Sequence, residues 1–188
     1  QIALMLATAG MGAPEPIYYS YILLKEGKMS TRQGKVVLLS DFLDEATARA
    51  AERVEEQCKE LPARERKAIA EHVAVAAIRF AILRVGANKN VIFDWDASLS
   101  FTGDTGPYVQ YSCARISSIL RKLNAPLPES PREDFPVETN AEWALLSKLA
   151  AFPDTIANAT AVHSVAPVAQ FVLETARLFT TFYHECPV

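Results

Sequence analysis

A stretch near the middle of the chain carries side chains that could bind unpaired nucleic acid. Tyr108, Tyr111 and Arg115 recur at helical spacing, and Ser118 and Lys122 continue the same side. Unstacked bases lie on aromatic rings and guanidinium planes, while Arg and Lys meet phosphates. Tyrosines at this spacing are also typical of packing residues with hydrated hydroxyls, and Arg115 could simply be solvated. On spacing alone the packing interpretation is the more common one.

A second candidate is the polar stretch 25–35, which contains two glycines and four positive charges. Backbone N–H groups of such a loop can point at a polyphosphate, and the lysines add charge. The runs on either side, 17–24 and 36–39, are apolar and β-branched and predict two short strands. Most loops of this composition are ordinary surface, so composition alone leaves the phosphate site open.

Other site chemistries have little support in the sequence. Asp94 and Asp96 flank Trp95, and we expect them to cap a helix or bind Arg79 or Arg84 instead of acting as an acid–base pair. No Walker loop, nucleophile elbow or dinucleotide fingerprint is present. A metal site is not expected, because no Cys, Asp or Glu stands at ligand spacing from any of the three histidines, His72, His163 and His184.

The helix that would present the first group has clear start signals. Asp104 or Thr105 can cap it, and Pro107 suits its first turn because the N–H that proline lacks would be unpaired there. Its opposite side predicts a buried stripe, formed by Val109, Ser112, Ile116, Ile119, Leu120 and Leu123.

From Ser40 onward the sequence predicts a mainly helical structure. Helices are predicted from a Ser40 or Asp41 cap to about Lys59, from Pro62 onward, from an Asn140 cap, and over 152–163 and from 167 to near the end. The inward stripe of the first is predicted to be Leu43, Ala46, Ala50 and Val54. That of the second is predicted to be Ile69, Val73, Ala76, Phe80 and Leu83. The fold class is therefore mainly α, a helical bundle attached to the tail of an α/β element.

The composition of the chain limits the classes of partner that it is expected to bind. Half of the 188 residues are hydrophobic and the net charge is -3, which argues against a general cationic binder of nucleic acid such as DNA. Apolar runs are interrupted by Arg79 and Arg84, so we predict no membrane association and a cytoplasmic location. The chain begins with Gln1 instead of methionine, and we expect it to be a piece of something longer.

Several motifs together resemble a known family. The stretch 28–32, Lys-Met-Ser-Thr-Arg, is similar to the KMSKS loop of class I aminoacyl-tRNA synthetases. With the runs 40–46, 93–96 and 99–101, and with 103–111 continuing through Arg115, the order and spacing resemble arginyl-tRNA synthetase across nearly the whole chain. The form of the loop at 26–32 is more like the archaeal and eukaryotic branch.

The resemblance implies two domains. Residues 1–39 would be the end of a Rossmann catalytic domain, and residues 40–188 a helical anticodon-binding domain of the DALR type, with the chain truncated at both sides. The implied activity is arginine–tRNA ligation: arginine and ATP form an adenylate, and the arginyl group passes to arginine tRNA. ATP with Mg²⁺ would be a substrate, held together with arginine by the missing catalytic domain. The chain alone is expected to be inactive.

The resemblance also implies site residues. Lys28, Ser30 and Arg32 are the expected catalytic residues, and ATP contacts are expected from Lys28, Met29, Ser30 and Lys35. Thr31 replaces the second lysine of the motif, and we expect Arg32 or Lys35 to supply that charge. Contacts with tRNA are expected from Tyr108, Gln110, Tyr111, Arg115 and Lys122.

Two alternatives stay open. One is a stand-alone helical RNA-binding or scaffold module without catalysis, against which the loop at 28–35 counts. The other is a different class I synthetase, such as the cysteinyl or methionyl enzyme. The motif from Gly103 to Arg115 and the absence of zinc ligands in the sequence count against that.

Overall fold

The structure, a computed structural model, describes residues 2–12, 14, 18–25, 38–123 and 136–186. In those ranges the chain forms two three-residue strands, β1 Ile22–Leu24 and β2 Val91–Phe93. All other regular elements there are helices, which confirms the mainly α prediction. They are α1 Ile2–Thr8, α2 Leu39–Gln57, α3 Ala63–Leu83, α4 Trp95–Ser98, α5 Gly106–Leu123, α6 Asn140–Ala150, α7 Phe152–Ala161 and α8 Ala166–Glu185.

The two strands pair in parallel, with Ile22 opposite Val91 and Leu24 opposite Phe93. The predicted strand 17–24 is longer than the observed one, because within the described part of the chain β1 has only the three residues of β2 to pair with. Tyr18, Tyr19 and Tyr21 precede β1 with exposed side chains. The sheet therefore joins the region before residue 25 to the helical region.

Helix α2 begins earlier than predicted. Its N-cap is Leu38, whose carbonyl accepts the N–H of Phe42 at 3.0 Å, and no side chain caps it. Caps by Ser40 or Asp41 were therefore a wrong prediction, as was a strand at Leu38 and Leu39; residues 36–37 lie outside the described ranges. Asp41 instead lies in the first turn, where a carboxylate favours the positive end of the helix dipole.

The main core lies between α2 and α3. The prediction for α2 is confirmed at Ala46, Ala50 and Val54, which are buried, while Leu43 is half-buried. The stripe predicted for α3 is buried at Val73 and half-buried at Ile69, Ala76 and Phe80, and it is wrong at Leu83, which is exposed. The residues of α3 that are buried are Ala70, Val73, Ala74, Ala77 and Ile78.

This burial pattern follows from the position of α3, which packs against α2 on one side and against α5 on another. A helix that packs against neighbours on two sides buries residues on both of those sides, so its buried residues do not form a single apolar stripe. Small residues such as alanine allow a neighbouring helix to come close. The alanines of α3 meet those of α2 and form the shared core with Phe42, Phe93 and Leu99.

A second packing centre is α8, which contacts α5, α6 and α7. Its buried residues are Phe171, Leu173, Ala176 and Phe179. Because α5 touches both α3 and α8, this helix joins the two packing centres.

Helix α6 begins with a capping box instead of the predicted Asn140 cap. The hydroxyl of Thr139 accepts the N–H of Glu142 at 3.1 Å, and the Glu142 carboxylate accepts the N–H of Thr139 at 2.8 Å. The backbone N–H groups of Glu138 and Thr139 and the Thr139 hydroxyl hold the pKa of Glu142 below its usual range. A lowered folded-state pKa adds stability above the unfolded pKa, and that stability is lost as pH falls through the folded value.

Substitution Thr139→Ala should lower the free energy of unfolding by about 1 kcal/mol at neutral pH, because it removes the cap of α6. Urea unfolding followed by circular dichroism measures this loss. Thr160→Ala is the matched control, since that exposed hydroxyl bonds only to the Ile156 carbonyl of its own helix. Equal losses in the two variants would contradict the role of the cap.

Candidate nucleic-acid interface

The start of α5 is set by a cap and a close helix contact. The hydroxyl of Thr105 accepts the N–H of Tyr108 at 3.1 Å and donates to the carbonyl of Ser100 at 2.6 Å, which confirms the predicted cap at this residue. Gly106 and Pro107 follow, both buried. A Cβ on Gly106 would lie 2.3 Å from the carbonyl oxygen of Ala76 in α3, so only glycine permits this approach.

Asp104, just before that cap, connects α5 with two other helices. Its backbone carbonyl accepts from Arg84 at 2.6 Å, and its carboxylate pairs with Arg177 of α8. Arg84, at the end of α3, therefore has Asp104 as its partner. The predicted pairing of Arg84 with Asp94 or Asp96 is wrong. These two contacts of Asp104 hold the first turn of α5 against α3 and α8.

Asp94 and Asp96 have structural partners. Asp94 caps α4 by accepting the N–H of Ala97 at 3.1 Å, which confirms the predicted capping role. Asp96 is exposed and lies 3.4 Å from Arg53 of α2. Arg53 therefore takes the place of the arginines predicted from the sequence.

Two residues of the predicted α5 face, Tyr111 and Arg115, contact each other, and Arg115 also contacts a residue of α8. The guanidinium of Arg115 lies 4.6 Å from the ring centroid of Tyr111 and donates a hydrogen bond of 3.1 Å to its hydroxyl. The same guanidinium lies 5.0 Å from the ring of Tyr183 on α8. We call these three residues the Tyr–Arg–Tyr cluster.

The cluster is a surface feature. Tyr111 is 46% exposed and Tyr183 is 37% exposed, so part of each ring is open to solvent. A guanidinium over aromatic rings is held in orientation while its charge stays available. The arrangement offers flat surfaces for stacked bases together with one fixed positive charge.

Tyr183 was missed by the sequence reasoning. The predicted last helix carries Phe171, Leu178, Phe179, Phe182 and Tyr183 as its apolar pattern, and no RNA contact was expected from Tyr183. It stands 68 positions after Arg115, and no local spacing relates the two residues. The available signal was a tyrosine instead of a phenylalanine near the end of that pattern, since a tyrosine hydroxyl favours a partly hydrated position.

Two other predicted contacts lie between helices. The Tyr108 hydroxyl is 3.0 Å from the hydroxyl of Thr180 on α8, and the Gln110 amide donates to the His72 carbonyl of α3 at 3.2 Å. Both side chains are half-buried. Their observed contacts hold α5 against α8 and α3, and contact with RNA stays a prediction for both.

Lys122 is exposed in the last turn of α5, next to Arg121. It stands seven positions after Arg115, which places it about 10 Å further along the helix axis. Positive charge here favours the negative end of the helix dipole and would also attract phosphates.

The buried stripe predicted for α5 holds only in its first half. Ser112 is buried and Val109 is half-buried, whereas Ile116, Leu120 and Leu123 are exposed. The contacts of α5 with α3 and α8 given above lie between Gly106 and Arg115, and in the described structure Ile119 further along the stripe is only half-buried. The prediction is wrong at the three exposed positions.

The residues predicted to contact ATP, Lys28, Met29, Ser30, Arg32 and Lys35, lie outside the described residues. Within the described ranges, no group of three His, Cys, Asp or Glu side chains could hold a metal ion. None of the described helices is long and apolar enough to cross a membrane.

Two families match the chain, one in each part. Residues 16–95 match tRNA synthetases class I (R), catalytic domain, and residues 109–188 match the DALR anticodon binding domain. A helical bundle with this second match, following the first in one chain, defines part of a class I aminoacyl-tRNA synthetase.

Similar proteins indicate which family within this class the chain resembles. An arginine–tRNA ligase of Methanospirillum hungatei is 37% identical over the whole chain, which covers 33% of that protein. One of Methanopyrus kandleri is 40% identical over 92% of the chain and 29% of its own length. Arginyl-tRNA synthetase of Thermus thermophilus has a TM-score of 0.75 and 35% identity, over 88% of this chain and 26% of that one. The chain belongs to the arginyl-tRNA synthetase family, as the sequence resemblance predicted, and spans about a third of the length of the curated relatives it matches.

Proposed function

We propose that this chain is part of an arginine–tRNA ligase, in which it binds the anticodon arm of arginine tRNA and contributes the loop that contacts ATP phosphates. The Tyr–Arg–Tyr cluster is the observation that carries the proposal for RNA. The relatives named arginine–tRNA ligase support the activity.

In the proposed complex, unpaired anticodon bases stack on the open parts of Tyr111 and Tyr183. Arg115 provides a cation at the same place, and its contacts with both rings orient the two tyrosines before RNA arrives. A side chain that is already oriented loses less conformational entropy on binding. Each stacked base is worth about 1–3 kcal/mol.

The other predicted tRNA contacts have different proposed roles. Lys122 meets a phosphate of the anticodon arm. Tyr108 and Gln110 contribute chiefly by holding α5 in place, because their polar atoms already bond to α8 and α3. Lys122 is therefore proposed to act on the tRNA directly, whereas Tyr108 and Gln110 act through the position of α5.

For the activation step we propose that Lys28, Ser30 and Arg32 contact the ATP phosphates, with Met29 and Lys35 as further nucleotide contacts. Charge accumulates on the departing pyrophosphate, and cationic donors aimed at it lower the barrier. ATP enters with Mg²⁺, and the arginine site belongs to the remaining catalytic domain. We assign residues 1–39 to that domain and residues 40–188 to the anticodon-binding domain. Helices α2 and α3 lie within the catalytic-domain match over residues 16–95, but they pack in one bundle with α5, which supports this division. We assign the whole protein to the cytoplasm.

Binding of the chain to arginine tRNA, and to the same tRNA with an altered anticodon loop, tests the proposal. Tyr111→Ala should weaken binding of the normal tRNA roughly 5- to 150-fold, because about 1–3 kcal/mol of stacking is lost. The preference over the altered tRNA should shrink with it. Tyr111→Phe should stay near the unmodified chain, since the ring remains.

A salt series separates stacking from charge. Lys122→Ala should reduce the slope of log K against log salt by about 0.7 while keeping the preference for the normal loop. Tyr18→Ala, at an exposed tyrosine far along the chain from α5, is the control and should change neither quantity. Weak, salt-sensitive binding that does not distinguish the two tRNAs would contradict anticodon recognition by this chain.

A further inference from the structure

Helix α8 contacts α5, and the turn before it, through three side chains that follow one another along α8. These side chains are spaced three residues apart, so they are neighbours on one side of the helix. They are Arg177, Thr180 and Tyr183. Their partners, in the same order, are Asp104, Tyr108 and Arg115. Because the order is the same along both helices, the three contacts together define how far α8 lies along α5. A displacement of α8 by one residue, about 1.5 Å along its axis, would misalign all of them.

The middle contact is a directed hydrogen bond. The hydroxyl of Thr180 donates to the Ala176 carbonyl of its own helix at 2.9 Å, which uses its only proton. The Tyr108 hydroxyl is therefore the donor in the 3.0 Å contact with Thr180. A single hydrogen bond between two helices permits rotation about it. The position of Tyr183, three residues further along α8, therefore also depends on the contact three residues before Thr180.

That contact is an ion pair between the Arg177 guanidinium and the Asp104 carboxylate. Asp104 is itself attached to α3, because Arg84 donates to its backbone carbonyl at 2.6 Å and lies 3.8 Å from its carboxylate. Arg177 thus connects α8 to a residue that a third helix already holds. Both members of the pair are partly exposed, so the pair adds little to the stability of the fold, and its main effect is on the position of α8.

We propose that Arg177 is a positioning residue for anticodon recognition: its pair with Asp104 holds α8 at the place along α5 where the Tyr183 ring meets Arg115. This inference rests on the proposed function, in which an anticodon base stacks on Tyr183. Arg177 stands six positions before Tyr183, about 9 Å away along the helix axis. It acts through the helix and makes no contact with the stacked base.

The test measures the affinity of the full-length ligase for arginine tRNA and for the same tRNA with an altered anticodon loop. Arg177→Met removes the charge and keeps a long side chain, and Asp104→Asn neutralises the partner. Each should weaken binding of the normal tRNA about fivefold, the upper end for one partly exposed ion pair, and should reduce the preference over the altered tRNA. The double variant should bind no more weakly than the weaker single variant, because both changes remove the same interaction.

Two further measurements distinguish positioning from other roles of Arg177. A direct contact with a tRNA phosphate would make Arg177→Met reduce the slope of log K against log salt by about 0.7, and Asp104→Asn would then strengthen binding by removing a negative charge. Positioning predicts an unchanged slope and weaker binding in both variants. In a Tyr183→Ala background, Arg177→Met should have no further effect on affinity, whereas a general structural role would lower affinity there by the same factor.

Arg53→Met is the matched control, because Arg53 also pairs with an aspartate and its side chain is 48% exposed, against 49% for Arg177. It should change neither affinity nor preference. Unchanged affinity in Arg177→Met, a reduced salt slope, tighter binding by Asp104→Asn, a further loss in the Tyr183→Ala background or an equal effect of Arg53→Met would each overturn the inference. Equal binding of the two tRNAs by the unmodified ligase would instead overturn the proposed function.

Discussion

Substitution of Phe93 by alanine is expected to lower the free energy of unfolding by about 3–5 kcal/mol. Phe93 is 1% exposed and is among the largest fully buried side chains of the described structure. It contacts Phe42 of α2 and Trp95 at the start of α4, and it also belongs to the strand that pairs with β1. The variant therefore leaves a cavity where three elements meet, and the helices cannot close it without breaking the strand pairing.

Ile92→Ala is the control for Phe93→Ala because it changes the adjacent residue of the same strand. Ile92 is 71% exposed, so its truncation should change stability by about 0.5 kcal/mol or less. Urea unfolding measures both values, and near-ultraviolet circular dichroism reports the surroundings of Trp95. Equal losses in the two variants would mean that strand propensity, and not the buried ring, stabilises this region.

The start of α5 shows what sequence can predict well. A helix cap, a first-turn proline and an apolar spacing all act within a few residues, so Thr105 and Pro107 were sufficient to place the helix. The pair Tyr111 and Arg115 is local in the same sense, since residues four apart on a helix are neighbours. Their contact could be predicted from spacing before any fold was known.

Contacts between distant segments could not be predicted in this way. Tyr183 reaches Arg115 only because α8 packs beside α5, and β1 pairs with a strand almost 70 positions later. The stripe of α3 was wrong at Leu83 for a related reason: the neighbours of α3 on two sides decide which of its residues are buried. At Asp104 the two arginine partners come from α3 and α8, and spacing along one helix gives no indication of either.

Substitution of Gly106 by alanine is expected to lower the free energy of unfolding by about 3 kcal/mol, at the upper end of the cost of overpacking. The added Cβ would lie 2.3 Å from the carbonyl oxygen of Ala76 and 2.6 Å from its carbonyl carbon. These are backbone atoms of α3, so no side-chain rotation relieves the overlap. The helix must move away from α3, and the small gain in helix propensity from alanine does not offset this.

Movement of α5 should also weaken the proposed binding of arginine tRNA, because the position of Arg115 relative to Tyr183 depends on it. Gly12→Ala is the control for Gly106→Ala, since no heavy atom lies within 4 Å of its added Cβ, and it should change neither stability nor affinity. Urea unfolding and tRNA binding measure the two effects. A loss of stability without a loss of affinity would contradict the dependence of the cluster on helix spacing.

A second substitution identifies the atoms responsible for the Gly106→Ala effect. If the overlap is with the backbone of α3, adding Ala76→Gly cannot restore stability, because glycine retains the same carbonyl group. The double variant should then be at least as unstable as Gly106→Ala, since a glycine inside α3 costs about 1 kcal/mol in addition. Recovery of stability in the double variant would mean that the Ala76 methyl group, and not the close approach of two backbones, sets the distance between α3 and α5.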